Sequence, residues 1–318
     1  MSNDTPTVLV TGGAGFIGSN LSDRLLREGA RVRILDNFST GFHENLNEIS
    51  GNFDLIEGDV ADPTAVRSAI AGVEIVFHQA ALPSVPRSVE DPVSTHKACV
   101  EGTFNLLLAA KDANVRRFVY AGSSSAYGDQ PTLPKSEAMA PAPMSPYAVA
   151  KLTGEYYASA FYRVYGLETV SLRYFNVFGP RQNPSSAYSG VISRFIDALM
   201  TDSQPVIYGD GEQSRDFTFI DNVVDANIKA ANSAEAPGLV MNAANGERIS
   251  LNDLLSALKK IVGKELDAEY LDARTGDVKH SQADNSLAVR TIGYENLVGL
   301  DEGLRKTVEW WQSSRFAR

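Results

Sequence analysis

Thr7-Val8-Leu9-Val10-Thr11-Gly12-Gly13-Ala14-Gly15-Phe16-Ile17-Gly18 decides the fold. A short β-rich run is closed by glycines, and Phe16, Ile17, Leu21, Leu25 and Leu26 then follow at helical spacing, which predicts strand, glycine turn and helix. Gly12 permits the tight turn, Gly15 lets a pyrophosphate approach the backbone, and Gly18 lets helix and strand pack closely. The phosphates then meet the N-terminus of the helix that Phe16 and Ile17 open. Asp36 stands at the end of the second predicted strand, where a carboxylate accepts both adenosine ribose hydroxyls and repels a 2'-phosphate, so NAD is expected rather than NADP. Asp59, after the third predicted strand, either caps the adenine or caps a helix ahead of Pro63.

The same alternation runs outward from this turn. Residues 32–35, 53–57, 74–78, 118–121 and 169–172 read as further strands, several with polar or helical stretches between them. Alternating strands and helices predict a Rossmann-type α/β fold with a doubly wound parallel sheet, its strand C-termini and following loops along one ligand-binding edge. After about residue 180 the pattern changes, with a loop at Asn183-Pro184-Ser185-Ser186, a helix expected over 188–200 and the turn-rich Gly209-Asp210-Gly211. Phe217-Thr218-Phe219-Ile220, a helix capped by Asp221, and residues 239–243 read as a return to the first region. Expected are therefore a dinucleotide-binding domain over 1–179 plus 216–243 and a smaller, interleaved α/β substrate domain over 180–215 plus 244–318.

Composition narrows the class of ligand. The chain has 318 residues and a formal net charge of -10, which disfavours nucleic acid and anionic membrane surfaces as partners. The single cysteine, Cys99, allows no intrachain disulfide, and no Cys/His spacing suits zinc, so a metal-free site and a reducing compartment are expected. No signal peptide or transmembrane span is read, and a cytoplasmic location is expected.

The chemistry is expected after the fifth strand. Ala121-Gly122-Ser123-Ser124-Ser125-Ala126-Tyr127-Gly128 ends that strand, and Pro146-Tyr147-Ala148-Val149-Ala150-Lys151 begins a helix. Tyr147 and Lys151, four residues apart, share a helix face, and a nearby ammonium favours the phenolate and lowers the tyrosine pKa towards that of a working general base. Ser123 is placed to bridge a substrate hydroxyl and Tyr147. Downstream of a dinucleotide turn, this set points to hydride chemistry on a carbinol.

These motifs together resemble the extended short-chain dehydrogenase/reductases, and within them the nucleotide-sugar 4-epimerases, across nearly the whole chain. The matching runs are the glycine turn, Asp36-Asn37-Phe38-Ser39-Thr40-Gly41, His78-Gln79-Ala80-Ala81, Ser123 to Gly128, Tyr147/Lys151, Arg173-Tyr174-Phe175-Asn176-Val177-Phe178-Gly179-Pro180-Arg181, Ser214-Arg215-Asp216-Phe217 and Gly276-Asp277. The resemblance implies cofactor contacts from Asn37, Ser39, Thr40, Gly41, Val60, Gln79, Ala80, Ala81 and Tyr174, besides Tyr147 and Lys151. It also implies that Tyr147 takes the proton from sugar O4 while hydride passes between C4 and tightly held NAD, and that a 4-keto sugar turns over before hydride returns. Helices over 91–113 and 146–165 match those that pair two subunits in relatives, implying a homodimer. Most relatives hold Asn at the position of Cys99.

The same resemblance bears on the substrate. Relatives that dehydrate or decarboxylate the sugar carry carboxylates where this chain has Ser124 and Ser125, so oxidation and return at C4 is implied. Asn176 stands where uronate epimerases often have Thr, which implies a neutral hexose. Arg215 and Arg274 match positions that clamp the diphosphate, with Arg181 assisting; Asp277 matches the acid on the uridine ribose, and the strand ending at Tyr208 matches the one that reads uracil. Ser84, Arg87 and Ser125 are expected at the sugar. Ser281 aligns with a bulky Tyr of glucose-restricted members and leaves room for an N-acetyl group. The expected substrates are UDP-N-acetylglucosamine and UDP-N-acetylgalactosamine, with UDP-glucose and UDP-galactose also admitted. UDP-glucuronate epimerisation, net dehydrogenation or reduction of a sugar, and a non-catalytic NAD-binding module stay open.

Overall fold

The computed structural model describes residues 6–183, 190–273 and 278–313. Strands β1 (Thr7–Thr11), β2 (Arg31–Asp36), β3 (Asp54–Glu57), β4 (Ile75–His78), β5 (Arg117–Ser123) and β6 (Glu168–Tyr174) join Val240–Ala243 in one seven-stranded sheet. All pairings in it are parallel, in the order Val240–Ala243, β6, β5, β4, β1, β2, β3. The chain thus winds one way from β1 to β3 and the other way from β4 onward. The C-terminal ends of β1 and β4 straddle that switch, where a ligand crevice forms.

The inner strands of this sheet are apolar because they are covered on both faces, whereas the edge strand β3 is largely exposed. Val8, Leu9 and Val10 are fully buried, as are Val76, Phe118 and Val119. One face packs on helix α1 (Phe16–Arg27) and the helix Ile220–Asn232, and the other on the helices Gly102–Asp112 and Pro146–Tyr165. Crossover links of this kind keep β5 and β6 parallel, with Tyr120 opposite Ser171 and Ser123 opposite Tyr174.

Two expected elements differ in detail. The 91–113 stretch is not one helix: Pro92–His96 leads into a π-helical turn, Lys97–Glu101, before Gly102–Asp112. Gly102 explains the close passage there, since a Cβ on it would lie 2.5 Å from the Val60 side chain. The helix after Phe217-Thr218-Phe219 begins at Ile220 with Phe219 as its N-cap, so Asp221 lies in its first turn and supplies charge rather than a cap. Beyond the sheet, three short two-stranded sheets pair Val177–Phe178 with Thr218–Phe219, Ser214–Arg215 with Ile249–Ser250, and Val206–Tyr208 with Glu269–Leu271. Among the described residues no helix is long and apolar enough to cross a membrane, and no group of three His, Cys, Asp or Glu is placed to hold a metal ion.

Candidate active site

A cleft of about 750 Å³ runs over the C-terminal edge of the sheet, lined at one end by the glycine turn and at the other by Arg215, His280 and Ser281. The glycines of the turn are required by contact distance. Gly12 has φ +70, and a Cβ there would lie 2.7 Å from the Ala80 backbone nitrogen. A Cβ on Gly18 would stand 2.1 Å from the Gly12 carbonyl oxygen. Gly15 caps α1 with no side-chain bond to the first-turn N–H groups, which leaves the helix end open to an anion.

Asp36 closes this end. Its carboxylate accepts the backbone N–H of Ala14 at 2.9 Å and of Phe38 at 2.8 Å, and each oxygen keeps a lone pair for a ribose hydroxyl. Burial pushes its pKa up, and the two N–H bonds oppose that rise. Asn37, Ser39 and Thr40 line the cleft, and Gly41 lies behind it, with no room for a Cβ between Ala14 and Asp36. Asp59 accepts the Ala61 N–H at 2.8 Å and the Asn37 amide at 3.1 Å, while Asp62 caps the helix Pro63–Ile70. The cleft thus contains Gly12, Gly15, Phe16, Ile17, Gly18, Asp59, Val60, Gln79, Ala80 and Ala81 as one continuous wall. This geometry fits an extended dinucleotide, with a phosphate seat at α1 and a carboxylate at the end of β2. The Gln79 amide is also engaged by protein, donating to the Tyr174 hydroxyl and to Asn227, both at 3.1 Å.

In the middle of the cleft, β5 delivers Ser123, and the helix Pro146–Tyr165 delivers Tyr147 and Lys151. Pro146 occupies the first turn, and the Ser145 hydroxyl accepts the Ala148 N–H at 3.2 Å, which fixes where that helix starts. Ser123 Oγ and Ser125 Oγ are 2.8 Å apart. Tyr147 is half-buried in the cleft wall; desolvation pushes its phenol pKa up, with a smaller upward push from Cys99, while the Ser123 side chain pulls it down. The expectation of a lowered phenol pKa is corrected on this point: desolvation outweighs the stabilisation of a phenolate. Lys151, 3% exposed, has its own pKa lowered by desolvation and holds its Nζ 4.6 Å from the centre of the Tyr120 ring. Both catalytic candidates thus line the cleft where desolvation is strong enough to shift their protonation.

His78 lies beneath this site without facing it. Its ring nitrogens meet Thr11 Oγ1 at 2.7 Å and Thr103 Oγ1 at 2.9 Å, and complete burial lowers its pKa to about 3. Cys99 is buried in the π-helical turn beside Tyr120, Tyr147 and Lys151. Its carbonyl accepts the Thr103 hydroxyl at 2.6 Å.

At the far end, Asn176, with φ +33, faces both this cleft and a second cavity of about 230 Å³ that Tyr208 and Arg215 also line. Ser281 lines the cleft, and its N–H donates to the Ser214 carbonyl at 3.0 Å. Ser84 and Arg87 line the cleft too, where Ser84 caps the helix Val85–Glu90 by accepting the Arg87 N–H at 3.1 Å. Arg181 lines the cleft, with its guanidinium held by Glu48 at 3.1 Å, by the Ser19 carbonyl at 3.0 Å and near Asp23 at 3.6 Å. Arg274 and Asp277 lie outside the described residues.

Two buried features escaped the motif reading. Glu155 and Arg173 form a nearly solvent-free ion pair under Ser123, and Asp216 gathers backbone donors from distant segments. Arg173 and Asp216 stand in recognisable runs, but their partners are set only by the three-dimensional path of the chain.

A Rossmann sheet with a phosphate-binding glycine turn, a ribose acid and a Ser/Tyr/Lys set in the same cleft defines a nicotinamide-dependent enzyme that works on alcohols. The profile of the NAD dependent epimerase/dehydratase family matches residues 8–244, and the chain belongs to that family. The UDP-glucose 4-epimerase of Mycolicibacterium smegmatis is 40% identical over 310 residues, covering 96% of this chain and 98% of the relative. The UDP-N-acetylglucosamine 4-epimerase of Methanobrevibacter ruminantium M1, solved in complex with UDP-N-acetylmuramic acid, superposes with a TM-score of 0.93 at 40% identity, covering 98% of this chain and 99% of that one. The UDP-glucuronic acid 4-epimerase of Bacillus cereus, solved with UDP-glucuronic acid and NAD, superposes with a TM-score of 0.90 at 32% identity, covering 96% of this chain and 99% of that one. The protein is thus an NAD-dependent enzyme of the sugar-nucleotide epimerase type.

Proposed function

We propose that the protein interconverts UDP-N-acetylglucosamine with UDP-N-acetylgalactosamine, and UDP-glucose with UDP-galactose, by epimerisation at C4. One observation carries this reading: the only acids lining the cleft among the described residues are Asp36 and Asp59, at the dinucleotide end. The reaction end therefore presents Ser123, Ser124, Ser125, Tyr147 and Lys151 without a carboxylate for elimination at C5 or C6. Oxidation and return at C4 need only an acid/base for O4.

The cofactor wall described above would hold NAD, which supplies the hydride acceptor for C4 and then the donor. The chain's own residues do the rest. Tyr147 takes and returns the O4 proton, Ser123 orients the hydroxyl, and the Lys151 ammonium favours the phenolate. Lys151 is buried at the base of the cleft, and closure of the substrate region over the sugar would keep water from the reactive ketone. Arg215, Arg274, Asp277 and the strand carrying Tyr208 hold the nucleotide, and Asn176, Ser84, Arg87, Ser125 and Ser281 surround the sugar. The dinucleotide-binding part would comprise 1–179 and 216–243, and the remainder would close over the UDP-sugar. Val93, Val149, Tyr156 and Val164 are 50–76% exposed on neighbouring helices, which supports pairing of two subunits through this face.

The test is incubation of purified protein with each UDP-sugar, without added cofactor, followed by chromatographic separation of C4 epimers. Both neutral pairs should interconvert while UDP-glucuronate stays unconverted, and Tyr147→Phe should abolish turnover while retaining bound NAD. No C4 epimer from any UDP-sugar would overturn the assignment, and steady growth of NADH absorbance would indicate net dehydrogenation instead.

A further inference from the structure

Asp216 is fully buried and lines neither the main cleft nor the second cavity. Its carboxylate nevertheless accepts three backbone N–H groups: Asn245 at 2.9 Å, Gly246 at 3.0 Å and Ala283 at 3.0 Å. Its own carbonyl accepts the Asn176 amide at 2.8 Å. One residue thereby joins the turn after Val240–Ala243, the segment after Ser281, the strand Ser214–Arg215 and the residue that follows β6 by two positions. Asn176, Arg215 and Ser281, the described candidates for the sugar and diphosphate, are each either bonded to it or adjacent to a bonded segment. The Ser281 N–H to the Ser214 carbonyl and the Arg215 guanidinium to the Lys279 carbonyl at 3.1 Å complete the same knot.

A carboxylate suits this place because all three groups facing it are donors, and only an acceptor with two oxygens serves them together. An amide of the same shape would turn an NH₂ towards at least one N–H. Burial raises the carboxyl pKa to about 7 against the pull of the three donors, so the site is held by hydrogen bonding rather than by hydration.

We propose that Asp216 is a positioning residue for nucleotide-sugar binding, helping to set Arg215 and Ser281 against Asn176 through its three backbone N–H contacts and its own carbonyl. The proposal rests on the UDP-sugar reading given above. It predicts that Asp216→Asn weakens UDP binding, measured by calorimetry on the NAD-loaded enzyme, at least tenfold, and raises KM for the UDP-sugar while kcat changes less than threefold. Bound NAD should stay near that of the wild type, because β1, α1 and β2 are untouched, while Tm should fall modestly from the donor left without an acceptor. Rescue should come from Asp216→Glu in part, since it restores the acceptors at a displaced position. If neither variant folds, amide exchange in the wild type decides. Saturating UDP should slow exchange at Asn245, Gly246 and Ala283, whose N–H groups lie outside both cavities. Unchanged UDP affinity in a folded Asp216→Asn protein, or unchanged exchange at those amides, would overturn the proposal while epimerisation by the wild type stood. Failure of the wild type to bind UDP would overturn both readings.

Discussion

Arg173 grips Glu155 beneath Ser123 with three contacts of 2.8–3.1 Å, the pair being 5% and 2% exposed. The Arg173 guanidinium also lies 4.6 Å from the centre of the Tyr127 ring, whose hydroxyl donates to Asn242 at 2.7 Å. Gly122 is glycine because a Cβ there would stand 2.8 Å from Glu155 Oε1. Removing one partner leaves a buried, uncompensated charge. Glu155→Ala should therefore cost about 3–5 kcal/mol in urea unfolding, while the paired change Glu155→Met with Arg173→Leu should recover much of the loss. A loss below about 1 kcal/mol in Glu155→Ala would show that the charge is rehydrated on mutation.

Gly18→Ala places a methyl 2.1 Å from the Gly12 carbonyl oxygen, so α1 must move away from the turn. The purified variant should carry less than a tenth of the wild-type NAD, assayed after heat release. Gly299→Ala, where a Cβ meets nothing within 4 Å, should keep its full complement. Equal cofactor content in all three proteins would count against a phosphate seat at this turn.

His78 makes stability depend on acid. Its folded pKa of about 3 lies below the ordinary histidine value of 6.5, so between those limits the unfolded chain binds more protons than the folded one. Stability is full above pH 6.5 and falls as the pH drops through that window, by up to about 1.4 kcal/mol per pH unit from this residue. Tm measured from pH 7 to pH 4 should fall less steeply in His78→Gln, which has no proton to gain. Parallel slopes would place the acid sensitivity elsewhere.

Ser281→Tyr puts a bulky ring into the cleft that Ser281 lines. Turnover of the N-acetylated pair should drop at least tenfold in kcat/KM, with much less effect on UDP-glucose, since a methyl-bearing acetamide needs the volume that a hydroxyl does not. Equal loss on both pairs would remove the gatekeeper role.

Val149→Asp with Val164→Asp puts charge on the exposed face of the helix Pro146–Tyr165, at positions 50% and 70% exposed. Light scattering should then report half the wild-type mass. An unchanged mass would mean that this face is not where subunits meet.

Much of this protein was legible in local sequence. β1, the glycine turn and α1 are set by neighbours within a dozen residues, through apolar periodicity and the absence of Cβ atoms at Gly12 and Gly18. The expected strands fell within two residues of the observed ones, and the helix Pro146–Tyr165 was readable from its Ser-Pro start and its Gly166 stop. Those signals are short-range, so the chain announces them wherever it lies. The parallel order of the sheet followed from the alternation of elements, because a right-handed crossover leaves few other arrangements.

Other properties belong to the folded molecule alone. Asp216 meets Ala283 from 67 residues away, and Tyr174 meets Asn227 from 53. No periodicity encodes such pairs. The Tyr147 pKa shows the same limit: the four-residue spacing to Lys151 suggests a lowered phenol pKa, but desolvation by helices packed from across the chain pushes it up. Sequence by itself determined which groups could do chemistry, since that depends on residue type and spacing along one element. Tertiary structure decided their charge, their dryness and their partners, since those depend on which distant surfaces close over them.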